Sequence, residues 1–282
     1  PVVDGYVFFG WYLDAELTDI YFFDYKLDRD ITLYAKFYDT TLGEYIVISN
    51  VDQLAAIKDQ PDAKYLLACD INCHGEQLRP INVFSGELDG NGYKIFDFSI
   101  SETTSYAAFI NTNNGNVKNL SFTDFTYDIL TSSSGTKSYA IVCAINNGTI
   151  ENCHAYDSEM RISYTAGQIE YNLCIGSIVG KNIGHVKACT SKMLMNISSN
   201  TYGGVYGGHL GQTRTDIGGV VGQNSDGASI DECINSSTLI LNITAKDQTP
   251  HWGSSYNYCG GIVGINYSNV DASINNGDFE VT

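Results

Sequence analysis

Positive charge is scarce in this sequence. Against 32 Asp and Glu stand only 15 Lys and Arg, a formal net charge of −17. That balance opposes the counterion release that holds nucleic acid, so DNA, RNA and anionic membrane are poor partners. Proline is also rare, with 4 residues, and charged residues make up 17 % of the chain, below the roughly 25 % usual for soluble domains. No apolar run approaches the roughly 18 residues that a spanning helix needs, which argues against membrane insertion in this fragment. No charged-then-apolar leader opens at Pro1, so a signal peptide, if one exists, is expected outside the fragment. The five histidines (His74, His154, His185, His209 and His251) never form H-E-x-x-H, and no G-x-S-x-G elbow occurs, which removes the commonest metallopeptidase and hydrolase signatures.

What is abundant points to β structure. Hydrophobic residues make up 43 %, with 20 Tyr and 28 Gly, a composition suited to strands joined by tight turns. One phrase recurs along the chain. It reads AAFINTNNGNVKNL from Ala107, AIVCAINNGTIENC from Ala140, GSIVGKNIGHVKAC from Gly176, GGVVGQNSDGASIDEC from Gly218 and GGIVGINYSNVDAS from Gly260. Taking the Asn after each apolar core as anchor gives Asn111, Asn146, Asn182, Asn224 and Asn266, at spacings of 35, 36, 42 and 42. Self-similarity at such a period marks stacked supersecondary units. In the third copy, period-two alternation turns Val186, Ala188 and Leu194 toward one interior.

Coiling these units lets each rung hydrogen-bond to the next at about 4.8 Å, satisfying backbone groups that a lone copy leaves open. The expected fold is mostly β, a right-handed parallel β-helix or solenoid of about six rungs, roughly 29 Å long. A coil needs roughly 25 residues per copy, and the surplus falls at one phase. It comprises Tyr127 to Ser138, Tyr156 to Tyr171, Ser198 to Thr215 and Thr244 to Asn257. Equivalent positions stack, so these excursions are expected along one edge, where function concentrates.

Upstream, EYIVISNVDQLAAIKD reads as a strand and a short helix with Ser49 as N-cap, Asp52 three residues on, and a buried stripe of Val51, Leu54, Ala55 and Ile57. Such a helix suits the open end of a coil. YLLACDI and FSGELDGNGYKI follow, with a turn at Asp89-Gly90-Asn91-Gly92. This series, with the GGIVGIN-type copies, resembles the GLUG-repeat region found beside streptococcal IgA1 metallopeptidases and in surface proteins of Gram-positive and gut bacteria, over residues 44–282. Ala107 to Ile110 and Ala140 to Cys143 depart from its glycine-rich form. Gly5 to Tyr12 followed by Asp30 to Phe37 is similar to the second half of the Listeria–Bacteroides repeat, the internalin B-repeat type with a β-grasp fold. The division expected is 1–39 for this partial repeat, 40–104 for the cap and first rung, and 105–282 for the GLUG-like array. Both resemblances imply an extracellular, cell-surface protein in which such modules serve as stalks or adhesion units.

Cys153 and Cys189 each lie seven residues past their anchor and Cys233 nine past, so the three share one inward position. Free buried thiols and an oxidised pair both remain open. Cys69, Cys73 and His74 lack the fourth ligand of a zinc site, and Glu87 to Phe98 has Phe98 where a calcium loop needs a bidentate Glu. No metal or cofactor is expected. Catalytic residues are not expected either. The binding candidates are the aromatic and cationic side chains of the last two excursions: Tyr202, Tyr206, His209, Arg214, His251, Trp252 and Tyr256, whose ring faces suit sugars or protein hot spots. The expected function is non-enzymatic binding of a glycan or of a host or matrix protein by a monomeric module of a longer chain. A lyase or glycosidase on a β-helix, or a passive stalk, is the alternative.

Overall fold

The computed structural model describes residues 1–17, 21, 30–101, 105–202, 205–206, 209–210, 212–246 and 254–281. Only the backbone is described at 9, 41, 132–134, 166–171, 199–202, 205–206, 209–210, 212–213, 243–246 and 254–255. The described residues are mostly β, with parallel sheets and one short α-helix, Val51–Ala56.

Parallel pairing sets equivalent strands of successive copies side by side. One column runs Ile81–Phe84, Ile110–Asn113, Cys143–Asn146, Val179–Asn182, Val221–Asn224 and Val263–Asn266. Another follows the positions Ile46, Tyr65, Leu88, Val117, Ile150, Val186, Ile230 and Val270. From Tyr65 to Ile230 these side chains are at most 2 % exposed, whereas Ile46 and Val270, paired on one side only, are 40 % and 38 % exposed. Burial here comes from stacking, since a copy without a neighbour on each side leaves its apolar face in water.

One residue further on, register brings together Asp89, Lys118, Glu151, Lys187, Asp231 and Asp271. Charges alternate along this outer row until the last two. Neighbours of opposite sign stabilise a cross-strand pair by roughly 0.2–1 kcal/mol. The next position is a corner in left-handed backbone, φ 55 at Asn119, 50 at Asn152, 51 at Ala188, 56 at Glu232 and 46 at Ala272. Asn tolerates that region because its short polar side chain bonds locally, and Asn152 donates to Asn119 at 3.0 Å. The corner reverses the alternation, so the side chains that turn inward are Leu120, Cys153, Cys189 and Cys233, all fully buried. The expected inward positions of Ala188 and Leu194 are therefore corrected: both are half-buried, and Met193 and Met195 fill the interior instead.

Two further expectations shift by a residue or two. Register pairs Asn113, not Asn111, with Asn146, so the first spacing is 33 and Asn111 lies outside the ladder, donating to Asn82 at 3.1 Å. The helix N-cap is Asn50, whose side chain accepts from the Gln53 amide at 2.9 Å, while Gln53 reaches back to the Ser49 amide and hydroxyl. Leu54 and Ile57 enter the core from this turn, but Ala55 is exposed.

Among the described residues the surplus gathers on one flank, and it does so mainly as strands. Asn116–Tyr139 and Thr149–Gly176 run out and back as long strands, pairing Tyr127 with Met160 and Ser138 with Cys174. The third and fourth copies continue both rows, Met195 and Leu239 in the outgoing half and Asp216 and Tyr258 in the returning half. The two halves face each other, with Lys137 donating to Thr131 at 2.8 Å and Tyr164 bonded to Thr215 at 2.9 Å. At the N-terminus, Tyr6–Tyr12 pairs antiparallel with Tyr34–Asp39. This ribbon is docked on the stack, because Asn91 donates to the Phe8 carbonyl at 3.0 Å and the Tyr38 hydroxyl accepts from the Tyr45 amide at 2.9 Å.

Candidate functional site: an arginine among tyrosines on the flank

Two neighbouring returning strands, Gln212–Gly218 and Ser254–Gly260, carry the site. Their register sets Arg214 beside Tyr256 and Asp216 beside Tyr258. Side chains two apart share one face of a strand, so Arg214 reaches Asp216 on its own strand. It does so as a fork, Nε to Oδ1 at 2.8 Å and Nη2 to Oδ2 at 2.7 Å. Its remaining nitrogen, Nη1, donates to the Tyr267 hydroxyl at 2.6 Å. The guanidinium carbon lies 5.5 Å from the Tyr258 ring centre and 5.4 Å from that of Tyr267, within cation–π range.

The pair is asymmetric in exposure. The Asp216 side chain is shut off from water, whereas Arg214 keeps 24 % of its surface. Burial raises the Asp216 carboxyl, partly offset by Arg214, and the Asp216 hydrogen bonds hold the Arg214 guanidinium above its ordinary value. Arg214 is thereby locked in place as a flat cation. Tyr256 and Tyr258 stack beside it with ring centres 6.4 Å apart and planes 11° from parallel. Tyr256, Tyr258 and Tyr267 are 44, 38 and 50 % exposed. The assembly offers aromatic faces and a partly desolvated cation at fixed positions, which suits a ring bearing polar groups. Behind it, Cys174 lies 4.0 Å from Asp216 and 3.8 Å from Gln223, and burial pushes its thiol up to about 12, so it stays protonated.

Of the residues expected at the site, the structure brings Arg214 and Tyr256 together. Tyr202 ends Thr190–Tyr202, and Tyr206 pairs with His209 in a short antiparallel ribbon, but their side chains lie outside the described residues. His251 and Trp252 lie outside them altogether. Asp216, Tyr258 and Tyr267 are the additions. The first two carried a signal, since Arg214 and Asp216 precede Tyr256 and Tyr258 by the same 42 residues that separate Asn224 from Asn266. Tyr267 carried none, because it follows Asn266 in a turn and reaches Arg214 only through folding. Among the described residues, no group of three or more His, Cys, Asp or Glu is placed to hold a metal.

The fold thus defines a class, a mostly β chain of parallel stacked copies with an aromatic flank. Residues 1–36 match the family model of the Listeria-Bacteroides repeat domain, List_Bact_rpt, in agreement with the resemblance read at 1–39. No curated protein matches the chain. Solved structures similar to it include a chain assigned as an immunoglobulin A1 protease from Bacteroides ovatus, 14 % identical over 77 % of this chain and 84 % of that one, with a TM-score of 0.43. Another is an IgA1 protease, 11 % identical over 84 % of this chain and 22 % of that one, with a TM-score of 0.37. This chain spans under a quarter of the latter.

Proposed function

We propose that this chain is a non-enzymatic binding module of a bacterial cell-surface protein, displayed outside the cell. In this reading the stacked copies form a right-handed parallel β-helix of the GLUG type, fronted by a partial β-grasp repeat. The match of residues 1–36 to a Listeria-Bacteroides repeat supports the surface setting. The observation that carries the function is the cluster of Tyr256, Tyr258 and Tyr267 around Arg214, which keeps large aromatic faces in water.

A folded chain gains little from exposed tyrosines unless something covers them, and sugar rings or a protein hot spot are natural occupants. A glycan is the preferred ligand, because stacked rings with a flanking guanidinium combine a face for C–H groups with donors for hydroxyls. No helix among the described residues is long and apolar enough to cross a membrane. The experiment is a glycan array and a host-matrix protein array probed with the wild-type chain and with Tyr258→Ala. Binding that Tyr258→Ala abolishes supports the reading. Binding indifferent to Tyr258 would place the ligand away from the flank, and no binding leaves a passive stalk. Turnover of a bound glycan would reassign the chain as a carbohydrate-active enzyme.

A further inference from the structure

We infer that a second binding site lies at the opposite end of the stack, in the groove beside the cap helix, and that it takes a saccharide unit bearing one carboxylate. The groove is open to solvent, has a volume of about 940 Å³ and continues into a smaller cavity of about 260 Å³ beneath the helix. Lys58 and Arg79 line both. Small-molecule sites fall in the same range of size, roughly 300–1,000 Å³.

The groove arises from the way the stack is closed. Leu54 and Ile57 are drawn into the core from the helical turn, and Leu78 is buried from the segment that crosses to the first strand of the anchor column. Between these insertions the polar residues Lys58, Gln77 and Arg79 are left on the walls. Three observations give the ligand class. The first is charge: in a chain of net −17, neither Lys58 nor Arg79 forms an ion pair among the described residues. Asp52 lies in the smaller cavity, while among the described residues Glu76 is the carboxylate on the larger groove, so the lining of that groove carries a formal +1. One carboxylate neutralises it, and arginine binds that group through two parallel bonds.

The second observation is the half-buried Tyr106 on the same wall, an aromatic surface for a ring. The third is an amide pair. Asn111 donates to the Asn82 oxygen at 3.1 Å, which fixes two side-chain amides next to each other on the lining. The Asn111 oxygen is buried and the Asn82 oxygen accepts from Asn111, so the exposed Asn82 presents its amide nitrogen as a donor to a ligand oxygen. Cation, ring and amides within one groove are the recognition set of an acidic sugar, either a uronic acid or a sialic acid. The site shares no residue with the Arg214 cluster, so it stands or falls separately.

The test uses the full chain and isothermal titration with a glucuronic acid-terminated tetrasaccharide, with sialyl-lactose, and with the carboxyl-reduced form of each. Binding of either acidic probe is expected, with its identity naming the sugar. The reduced forms and the Arg79→Gln variant should each bind about tenfold more weakly or worse. Lys58→Gln, on an exposed side chain, gives a second variant whose folding is not in question. Tyr258→Ala should leave this affinity unchanged, which separates the site from the flank. Failure of both acidic probes to bind, equal binding by a reduced form, or affinity lost in Tyr258→Ala but kept in Arg79→Gln would overturn the proposal.

Discussion

The Asn146 side chain donates to the Asn182 side-chain oxygen at 2.9 Å across adjacent rungs, and both residues are fully buried. The same contact, at the same length, links Asn113 to Asn146, Asn182 to Asn224 and Asn224 to Asn266. Each nitrogen also reaches backbone carbonyls at the turn, Gly148 and His185 in the case of Asn146. A buried amide is tolerable only because every rung satisfies the one before it.

Asn146→Ala breaks this ladder in the middle. It removes the acceptor of Asn113 and the donor to Asn182, Gly148 and His185. Each buried group left unpaired costs about 1–3 kcal/mol, so a loss of about 3 kcal/mol or more is expected. Asn266→Ala, at an exposed position that receives the ladder from one side, should cost under about 1 kcal/mol. Urea denaturation of the two variants checks the ranking, and equal losses would sink the ladder as a source of stability.

The corner column allows a gain. Ala188 holds φ 51 where its counterparts Asn119 and Asn152 are asparagines joined by a hydrogen bond. Left-handed backbone costs an ordinary L-residue roughly 1–2 kcal/mol, and Asn less. Ala188→Asn is expected to stabilise by about 0.5–1 kcal/mol, read as a higher denaturation midpoint. A lower midpoint would mean that the half-buried site lacks room for the amide.

These two positions also mark what the sequence could disclose. Repeat period and anchor phase were readable because identical phrases must occupy identical places in a stack. INTNNG offers three asparagines, Asn111, Asn113 and Asn114, and only the middle one precedes by two the glycine that lies under its neighbour's carbonyl. A Cβ at Gly148 would overlap the Gly115 oxygen, so in the copies anchored at Asn113, Asn146 and Asn182 the pattern Asn-x-Gly, not Asn alone, defines the place. Strict alternation turns Ala188 inward because it cannot foresee a left-handed corner. The Ser- and Thr-rich excursions looked like loops, yet they pair with their copies in adjacent rungs. Strand propensity was weak there, and cross-rung bonding decided the outcome. Half of the flank site was open to phase arithmetic, whereas Tyr267 and the cap groove depend on contacts with no sequence period.

His154 predicts a pH response. Its ring stacks on Tyr156 at 5.4 Å, Nε2 meets the Asn152 oxygen at 3.0 Å, and Nδ1 is buried without a partner among the described residues. Burial lowers its value from 6.5 to about 4. The unfolded chain therefore binds the proton first as pH falls, and stability declines between about pH 6.5 and 4, by about 3 kcal/mol at most. Acidic groups titrate nearby, so the informative quantity is the difference from His154→Phe, which should lose less over that window. Parallel pH profiles for the two proteins would refute the assignment.

Thiol labelling tests the interior column. All eight cysteines are free, and Cys153, Cys189 and Cys233 are fully buried. Burial raises Cys143 and Cys153 to about 12, so both stay as unreactive thiols. In the native protein a disulfide reagent should modify only Cys69 and Cys259, the partly exposed and exposed pair, and slowly, because burial raises both thiols, Cys259 to about 11; all eight should react only after denaturation. A denatured count of six would instead reveal an oxidised pair between neighbouring rungs.

Arg214 separates stability from recognition. Arg214→Lys keeps the charge but gives up the fork that satisfies both oxygens of Asp216, a carboxylate with no solvent access. An imperfectly paired buried charge should lower stability by about 1–3 kcal/mol. Tyr258→Leu removes ring and hydroxyl from a side chain that is 38 % exposed, outside the core, and in cation–π contact with Arg214, so its stability should fall by about 1 kcal/mol or less. If the flank binds as proposed, Tyr258→Leu loses the ligand while folding normally, because an aliphatic side chain offers neither the ring face nor its attraction for the guanidinium. A Tyr258→Leu protein that binds as tightly as the wild type would show that the exposed tyrosines serve packing alone.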